Sequence, residues 1–136
     1  MSKAVRIIGF VLSLICLAVI VYLSLAKDVN VPQYIVGKDK GAHFLAYMAL
    51  GFLFFVDFHN SVRHRIFLSN LMPVIGAFFL SFLCGYTIEL CQPRFGRFFE
   101  AADLIADGLG ALTGALIGLL CVYFVCLIER RRKKKG

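Results

Sequence analysis

The sequence predicts an all-α integral membrane protein with four transmembrane helices and both termini in the cytoplasm. Hydrophobic residues make up 60% of the 136 residues, whereas charged residues make up only 17%. The mean hydropathy of +0.84 is far above that of a water-soluble domain. Because no polar stretch exceeds about 15 residues, the composition excludes a separate soluble domain and predicts one domain over residues 1–136.

Four apolar runs predict helices at about residues 4–26, 42–58, 66–91 and 102–128. A helix needs about 20 residues to cross a hydrocarbon core of about 30 Å. The second run is shorter than this and has Asp57 near its end. At a helical rise of about 1.5 Å per residue, it barely crosses the hydrocarbon core. The third run contains Pro73, which is expected to kink it near its start. Asp57 is interpreted as part of an ordinary cytoplasmic turn.

The first run resembles a secretory signal, because basic residues precede it and Ser24-Leu25-Ala26 resembles a cleavage site. Its apolar stretch from Ile7 to Leu25 is longer than the roughly 7–15 residues of a cleaved signal. We therefore expect the first helix to be retained.

The orientation follows from the lysines and arginines, which are enriched at cytoplasmic flanks. The side with both termini carries Lys3, Arg6, Arg63, Arg65, Arg130, Arg131, Arg132, Lys133, Lys134 and Lys135. The opposite side carries Lys27, Lys38, Lys40, Arg94 and Arg97, which completes the total of 15. This imbalance places both termini in the cytoplasm and predicts a basic cytoplasmic tail over residues 129–136, in contact with anionic lipid.

Most polar residues near the predicted spans lie at their extracytoplasmic ends. The candidate ligand-binding residues are Lys40, His43, Tyr47, Glu89, Gln92, Arg94, Arg97, Asp103 and Asp107. Pairs separated by three or four residues share one helical face, and this spacing occurs within the second, third and fourth helices. Three polar faces can therefore converge at one end of the bundle, as a salt-bridge network or as a ligand site.

The fourth helix also carries Gly110, Gly114 and Gly118 at intervals of four. Small residues at this spacing allow another helix backbone to approach closely, so these glycines are candidate packing residues. They continue the face of Asp103 and Asp107, which indicates that both acids face the bundle. Asp103 is also suited to cap the start of the helix, but Asp107 lies one turn deeper.

This ordered polar pattern resembles the VanZ-like family of small bacterial membrane proteins. The resemblance covers roughly residues 37–118 and rests on Asp39, Lys40, His43, Tyr47, Glu89, Gln92, Arg97, Asp103, Asp107, Gly110 and Gly114. The family is named for an accessory protein associated with resistance to teicoplanin, so the resemblance implies a multi-pass protein of the bacterial cell membrane with an envelope function. Asp107 departs from the family, which commonly has asparagine there; it is either protonated or paired with a cation.

The resemblance and the outer polar residues together favour a binding protein for a membrane lipid or a lipid-linked envelope precursor. Lys40, Arg94 and Arg97 would engage phosphate, since ammonium and guanidinium groups are suited to it. The polar groups of the three helices would orient donors on the head group. Because teicoplanin carries an acyl chain and acts at the outer surface, such binding would lower sensitivity to it.

Two alternatives belong to other classes. In an enzyme, His43 beside Glu89 or Asp103 would act as a general acid and base, or the site would hold a metal. One histidine is a poor start for a zinc site, whereas an oxygen-rich magnesium or calcium site stays open. In a structural protein, the polar groups only hold the four helices together, and the bundle binds another membrane protein or a second copy of this chain. No cofactor, metal ligand or catalytic residue is assigned, and no nucleic acid is expected, because the basic run directly follows a span.

Overall fold

The computed structural model describes residues 3–25, 36–61, 67–96 and 98–133. Its helices are α1 (Lys3–Leu25), α2 (Val36–Ser61), α3 (Phe67–Cys91) and α4 (Ala101–Lys133), and a short 3-10 helix (Gln92–Phe95) follows α3. The segments long and apolar enough to cross a membrane are Arg6–Leu25, Lys40–His59, Leu71–Phe95 and Ala101–Lys133. No strand occurs in these ranges, so the prediction of an all-α fold with four membrane-spanning helices is confirmed.

Two helices extend beyond their predicted limits. The α2 helix begins at Val36 rather than near residue 42, and α4 continues to Lys133 rather than ending near residue 128. The first part of the predicted basic tail is therefore helical. Lysine and arginine favour helices and interact well with a helix C-terminus, so the end of an apolar run does not end the helix.

The centre of the bundle is the contact between α2 and α4, which is the most extensive in the molecule. A Cβ at Gly110 or Gly114 would overlap the carbonyl oxygen of Phe44 or Met48, both on α2. A Cβ at Gly118 would overlap the ring of Phe55. The three glycines of α4 therefore let the two helices approach backbone to backbone, as small residues do at close membrane helix contacts.

Small and large side chains alternate in the interior of the bundle. Near the polar residues, Leu50 and Ala111 are fully buried with Tyr47, and Ile20 from α1 joins them. Further along, a second cluster contains the fully buried residues Phe55, Ala77 and Ala115, together with Val74. The alanines lie where helices are closest and the larger residues fill the remaining space, which gives close packing without a wide core.

Large apolar side chains also cover the outside of the bundle. Ile7, Phe79 and Leu120 are each more than 60% exposed, and they come from three different helices. A soluble protein would not expose such residues on every side, whereas hydrocarbon solvates them without cost. The outer surface of the helices is therefore suited to lipid contact.

Asp57 connects α1 to α2 at the end of the bundle opposite the polar residues. It lies within α2, and its Oδ2 accepts a hydrogen bond of 2.6 Å from the Ser13 hydroxyl of α1. A Cβ at Gly9 would lie 2.8 Å from the other carboxylate oxygen, so α1 fits against Asp57 only because residue 9 is glycine. The interpretation of Asp57 as part of an ordinary turn is therefore wrong, because this carboxylate forms a contact between two helices.

A tight turn brings the end of α3 close to the start of α4. Gly96 ends the 3-10 helix with φ 75°, a left-handed conformation that glycine adopts without steric cost. Its backbone N–H donates to the carbonyl of Pro93 at 3.3 Å. The carbonyl of Glu100 then accepts from the N–H of Asp103 at 3.0 Å, which begins the hydrogen bonding of α4.

Candidate functional site

Three helices bring acidic side chains and one histidine together at one end of the bundle. We call this the polar cluster: His43 from α2, Glu89 from α3, and Asp103 and Asp107 from α4. All four side chains are buried, and Glu89 and Asp107 are 0% exposed. Burying this many ionisable groups is expensive unless each has a specific partner, so such clusters are candidates for functional sites.

His43 lies between the two aspartates of α4. Its Nδ1 is 2.9 Å from Asp107 Oδ1, a hydrogen bond in which Nδ1 donates when Asp107 is ionised. Its Nε2 is 3.9 Å from Asp103 Oδ2, which is an ion-pair distance for a protonated histidine but too long for a hydrogen bond. One imidazole thus connects two successive turns of α4, which the spacing of the aspartates places on one face.

Glu89 is held by donors from the turn between α3 and α4. Its Oε2 accepts a hydrogen bond from the backbone N–H of Glu100 at 3.3 Å. The side-chain amide of Gln92, with its nitrogen oriented toward these acceptors, donates to the same oxygen and to the carbonyl of Phe98 at 3.2 Å each. These contacts fix one oxygen of Glu89. Among the described residues, the other oxygen, Oε1, has no hydrogen-bond partner.

Tyr47 adds a buried hydroxyl next to the polar cluster. Its ring stacks parallel to that of His43, with centroids 6.5 Å apart and an interplanar angle of 5°. The side chain is 1% exposed, yet its hydroxyl has no hydrogen-bond partner in the described part of the chain. The same is true there of Asp107 Oδ2. Buried polar atoms normally have partners, so these atoms are available to a ligand, an ion or a water molecule.

Gly85 of α3 makes room for these side chains, and the sequence analysis did not identify it. A Cβ at this position would lie 2.8 Å from Asp107 Oδ2 and 3.2 Å from Tyr47 Cε1. Ser81, Gly85 and Glu89 follow one another at intervals of four on α3, and all three are buried. This spacing was a signal in the sequence, because it continues the face of Glu89 one and two turns further into the membrane.

An apolar cleft lies beside the polar cluster, between α1 and α2. It has a volume of about 330 Å³. Its walls are formed by Cys16, Val19, Ile20, Leu23, Ser24, Ala42, His43, Ala46 and Tyr47. His43 and Tyr47 therefore belong both to the cleft and to the polar region. Such a boundary, apolar on one side and hydrogen-bonding on the other, is suited to an amphiphilic molecule.

Two of the three predicted cationic residues, Lys40 and Arg94, are not part of the buried set. Lys40 and Arg94 are exposed, Lys40 one turn before His43 on α2 and Arg94 in the 3-10 helix. Arg97 lies outside the described residues. The structure thus brings together His43, Tyr47, Glu89, Gln92, Asp103 and Asp107, and it leaves Lys40 and Arg94 at the surface.

Chemically, the arrangement can accept hydrogen bonds, exchange a proton or hold a cation. Three carboxylates provide acceptors, and the imidazole can donate or accept a proton near neutral pH. Anions would instead meet the exposed Lys40 and Arg94 before reaching the buried acids. The interior of the site therefore favours donors and cations over anions.

The comparisons with known proteins identify the class to which this fold and site belong. A family model described as VanZ/LLP1 matches residues 10–124, which include α2, α3 and nearly all of the polar residues discussed above. The chain therefore belongs to the VanZ-like family, as its polar pattern indicated. Searches of curated proteins and of solved structures gave no match.

Proposed function

We propose that this VanZ-like protein binds the polar head group of a membrane lipid or lipid-linked precursor in the bacterial cell envelope. Its location in the bacterial cell membrane and its effect of lowering sensitivity to teicoplanin-type glycopeptides are part of this proposal. The single observation that carries it is that His43 and Tyr47 line the apolar cleft and also adjoin the buried acids.

The two parts of this region match the two parts of an amphiphile. The cleft of about 330 Å³ lies at the lower end of the range of small-molecule sites and is suited to a segment of an acyl chain. The polar cluster offers acceptors for hydroxyl, amide or ammonium groups of a head group. Lys40 and Arg94, exposed near the same end, would engage a phosphate at the membrane surface.

Native mass spectrometry with a cleft-filling variant tests lipid binding. In Ala42→Leu the added side chain enters the cleft, which Ala42 lines. Ala49→Leu is the matched control, because Ala49 is exposed two turns further along α2 and is not a wall of the cleft. With added phosphatidylethanolamine or phosphatidylglycerol, we expect affinity at least about tenfold lower in Ala42→Leu than in the wild type, and unchanged in Ala49→Leu.

The effect on teicoplanin is tested with the same variants in a susceptible host. We expect the wild type and Ala49→Leu to raise the inhibitory concentration of teicoplanin, and Ala42→Leu to raise it less at equal membrane expression. Equal lipid occupancy in the three proteins would contradict the lipid site. Normal lipid binding without any change in teicoplanin sensitivity would contradict only the envelope role.

A further inference from the structure

We propose that His43, Glu89 and Asp107 form a binding site for a divalent metal ion of the manganese class, which oxygen-rich sites prefer. Each of the three offers one ligand atom, and these atoms lie within 4.8 Å of one another. All three side chains are buried. The proposal goes beyond lipid binding and does not depend on it, because an ion can bind whether or not a lipid does.

The carboxylates present unused oxygen atoms at this point. Among the described residues, Glu89 Oε1 and Asp107 Oδ2 have no hydrogen-bond partner, although both side chains are 0% exposed. Leaving buried acceptors unpaired destabilises the folded protein, and the cost is greater for charged groups. A metal ion that takes Glu89 Oε1 as a ligand and binds the Asp107 carboxylate through both of its oxygens removes this cost.

Tyr47 is an independent sign of a ligand at the same place. A Cβ added at Gly85 would lie 3.2 Å from Tyr47 Cε1 and 2.8 Å from Asp107 Oδ2. The tyrosine ring and the unpaired carboxylate oxygen therefore lie close to the same point of α3. The tyrosine hydroxyl is unpaired within the described ranges and the side chain is 1% exposed. A hydroxyl there can donate to a metal-bound oxygen or to a carboxylate ligand.

The charges of the polar cluster also favour a cation. Within the described residues, no lysine or arginine forms an ion pair with Glu89 or Asp107, and the imidazole of His43 is the basic group that contacts Asp107. In this part of the chain, the two carboxylates of Glu89 and Asp107 therefore outnumber the single imidazole beside them. A divalent ion supplies the missing positive charge where the low dielectric makes charge imbalance most costly.

Neighbouring groups already orient the ligands. Donors from Glu100 and Gln92 hold Oε2 of Glu89, which leaves Oε1 to coordinate. Asp103 lies on the Nε2 side of His43, which leaves Nδ1 as the coordinating nitrogen. Hydrogen-bonded partners such as those of Glu89 commonly fix the orientation of metal ligands.

Binding would require only a small adjustment. Metal–nitrogen and metal–oxygen bonds of about 2.0–2.2 Å bring neighbouring ligand atoms to roughly 3–3.5 Å from one another. His43 Nδ1 and Asp107 Oδ1 are already 2.9 Å apart, and the ligand atoms of all three residues lie within 4.8 Å of one another. The proton between His43 and Asp107 would leave to solvent when both coordinate. One imidazole with carboxylates suits manganese, and three protein ligands leave positions for further oxygen ligands.

Manganese binding to the delipidated protein in detergent tests this site. We choose Mn²⁺ as the probe because thiolates bind it poorly and the chain has five cysteines. We expect about one Mn²⁺ per wild-type chain, and affinity at least about tenfold lower in Glu89→Gln and Asp107→Asn. Glu129→Gln is the matched control, because it removes the same charge about six turns from Asp107 on α4. Equal Mn²⁺ affinity in all four folded proteins, or no binding to the wild type, would overturn the proposal.

A measurement on the wild type alone decides the result if a variant does not fold. Pulsed electron paramagnetic resonance of bound Mn²⁺ is expected to show coupling to an imidazole nitrogen, because His43 is the proposed nitrogen ligand. Bound Mn²⁺ without this coupling would exclude the site. Both measurements are made without lipid, so their failure is separate from any failure of the lipid-binding proposal.

Discussion

Gly85 shows how a missing side chain shapes the polar cluster. The backbone of α3 comes so close to Asp107 and Tyr47 at this point that a methyl group has no room. Elsewhere on the same helix, a Cβ at Gly76 would make only ordinary contacts of 3.5 Å with the ring of Phe58. Two glycines of the same helix thus have different roles, although the amino-acid sequence alone does not show which of them has the close contact.

Gly85→Ala is expected to destabilise the protein by about 1–3 kcal/mol, because the new methyl group displaces the carboxylate of Asp107. The better helix propensity of alanine, about 1 kcal/mol, offsets only part of this. Gly76→Ala, the control, should be neutral or stabilising. Reversible unfolding in mixed detergent measures both. If the two variants were equally stable, the close contact at Gly85 would not matter.

The sequence could predict which residues enter the polar cluster, but not how they pair. Helical spacing identified His43, Glu89 and Asp107 as residues of inward faces, because spacing within one helix fixes its face. The bond between His43 and Asp107 depends on the rotation and height of α2 relative to α4. The rotation and height of the two helices depend on how glycines pack against carbonyls across the interface. The spacing of residues within one helix carries no information about that packing.

The pairing of α2 with α4 depends on close backbone contact, and one substitution tests it. A Cβ at Gly114 would overlap the carbonyl oxygen of Met48, so alanine there forces the two helices apart. We expect Gly114→Ala to lower stability by about 1–3 kcal/mol. Gly41→Ala is the control, since no atom lies within 4 Å of a Cβ at that position of α2. Thermal unfolding in detergent measures both, and an unchanged midpoint for Gly114→Ala would contradict this account.

The helices themselves were predicted better than their ends. Apolar runs report which residues contact hydrocarbon, and these residues lie within all four observed helices. They do not report where the backbone stops being helical, so α2 and α4 both extend into charged sequence. Asp57 was misinterpreted for a related reason, because a charged residue at the end of an apolar run looks like a turn even when a serine of another helix binds it.

At the scale of the molecule, the described residues form four helices long and apolar enough to span a membrane, and their orientation is a separate prediction. The excess of lysine and arginine predicts that both termini lie in the cytoplasm. Fluorescent-protein fusions at the C-terminus should therefore fluoresce, because the reporter folds in the cytoplasm. A phosphatase inserted between α1 and α2 should be active, because it requires the extracytoplasmic side. An active phosphatase at the C-terminus would reverse the topology and would place the polar cluster on the cytoplasmic side.

The position of the apolar cleft has a consequence for how a ligand would arrive. Its walls come from α1 and α2, and they include Val19 and Leu23, which are about half exposed on the lipid-facing surface. Entry is then sideways, by diffusion within one leaflet, rather than through water. Occupancy of the cleft would therefore follow the mole fraction of the ligand in the membrane. Adding other lipids while the total amount of ligand stays constant should therefore empty the cleft.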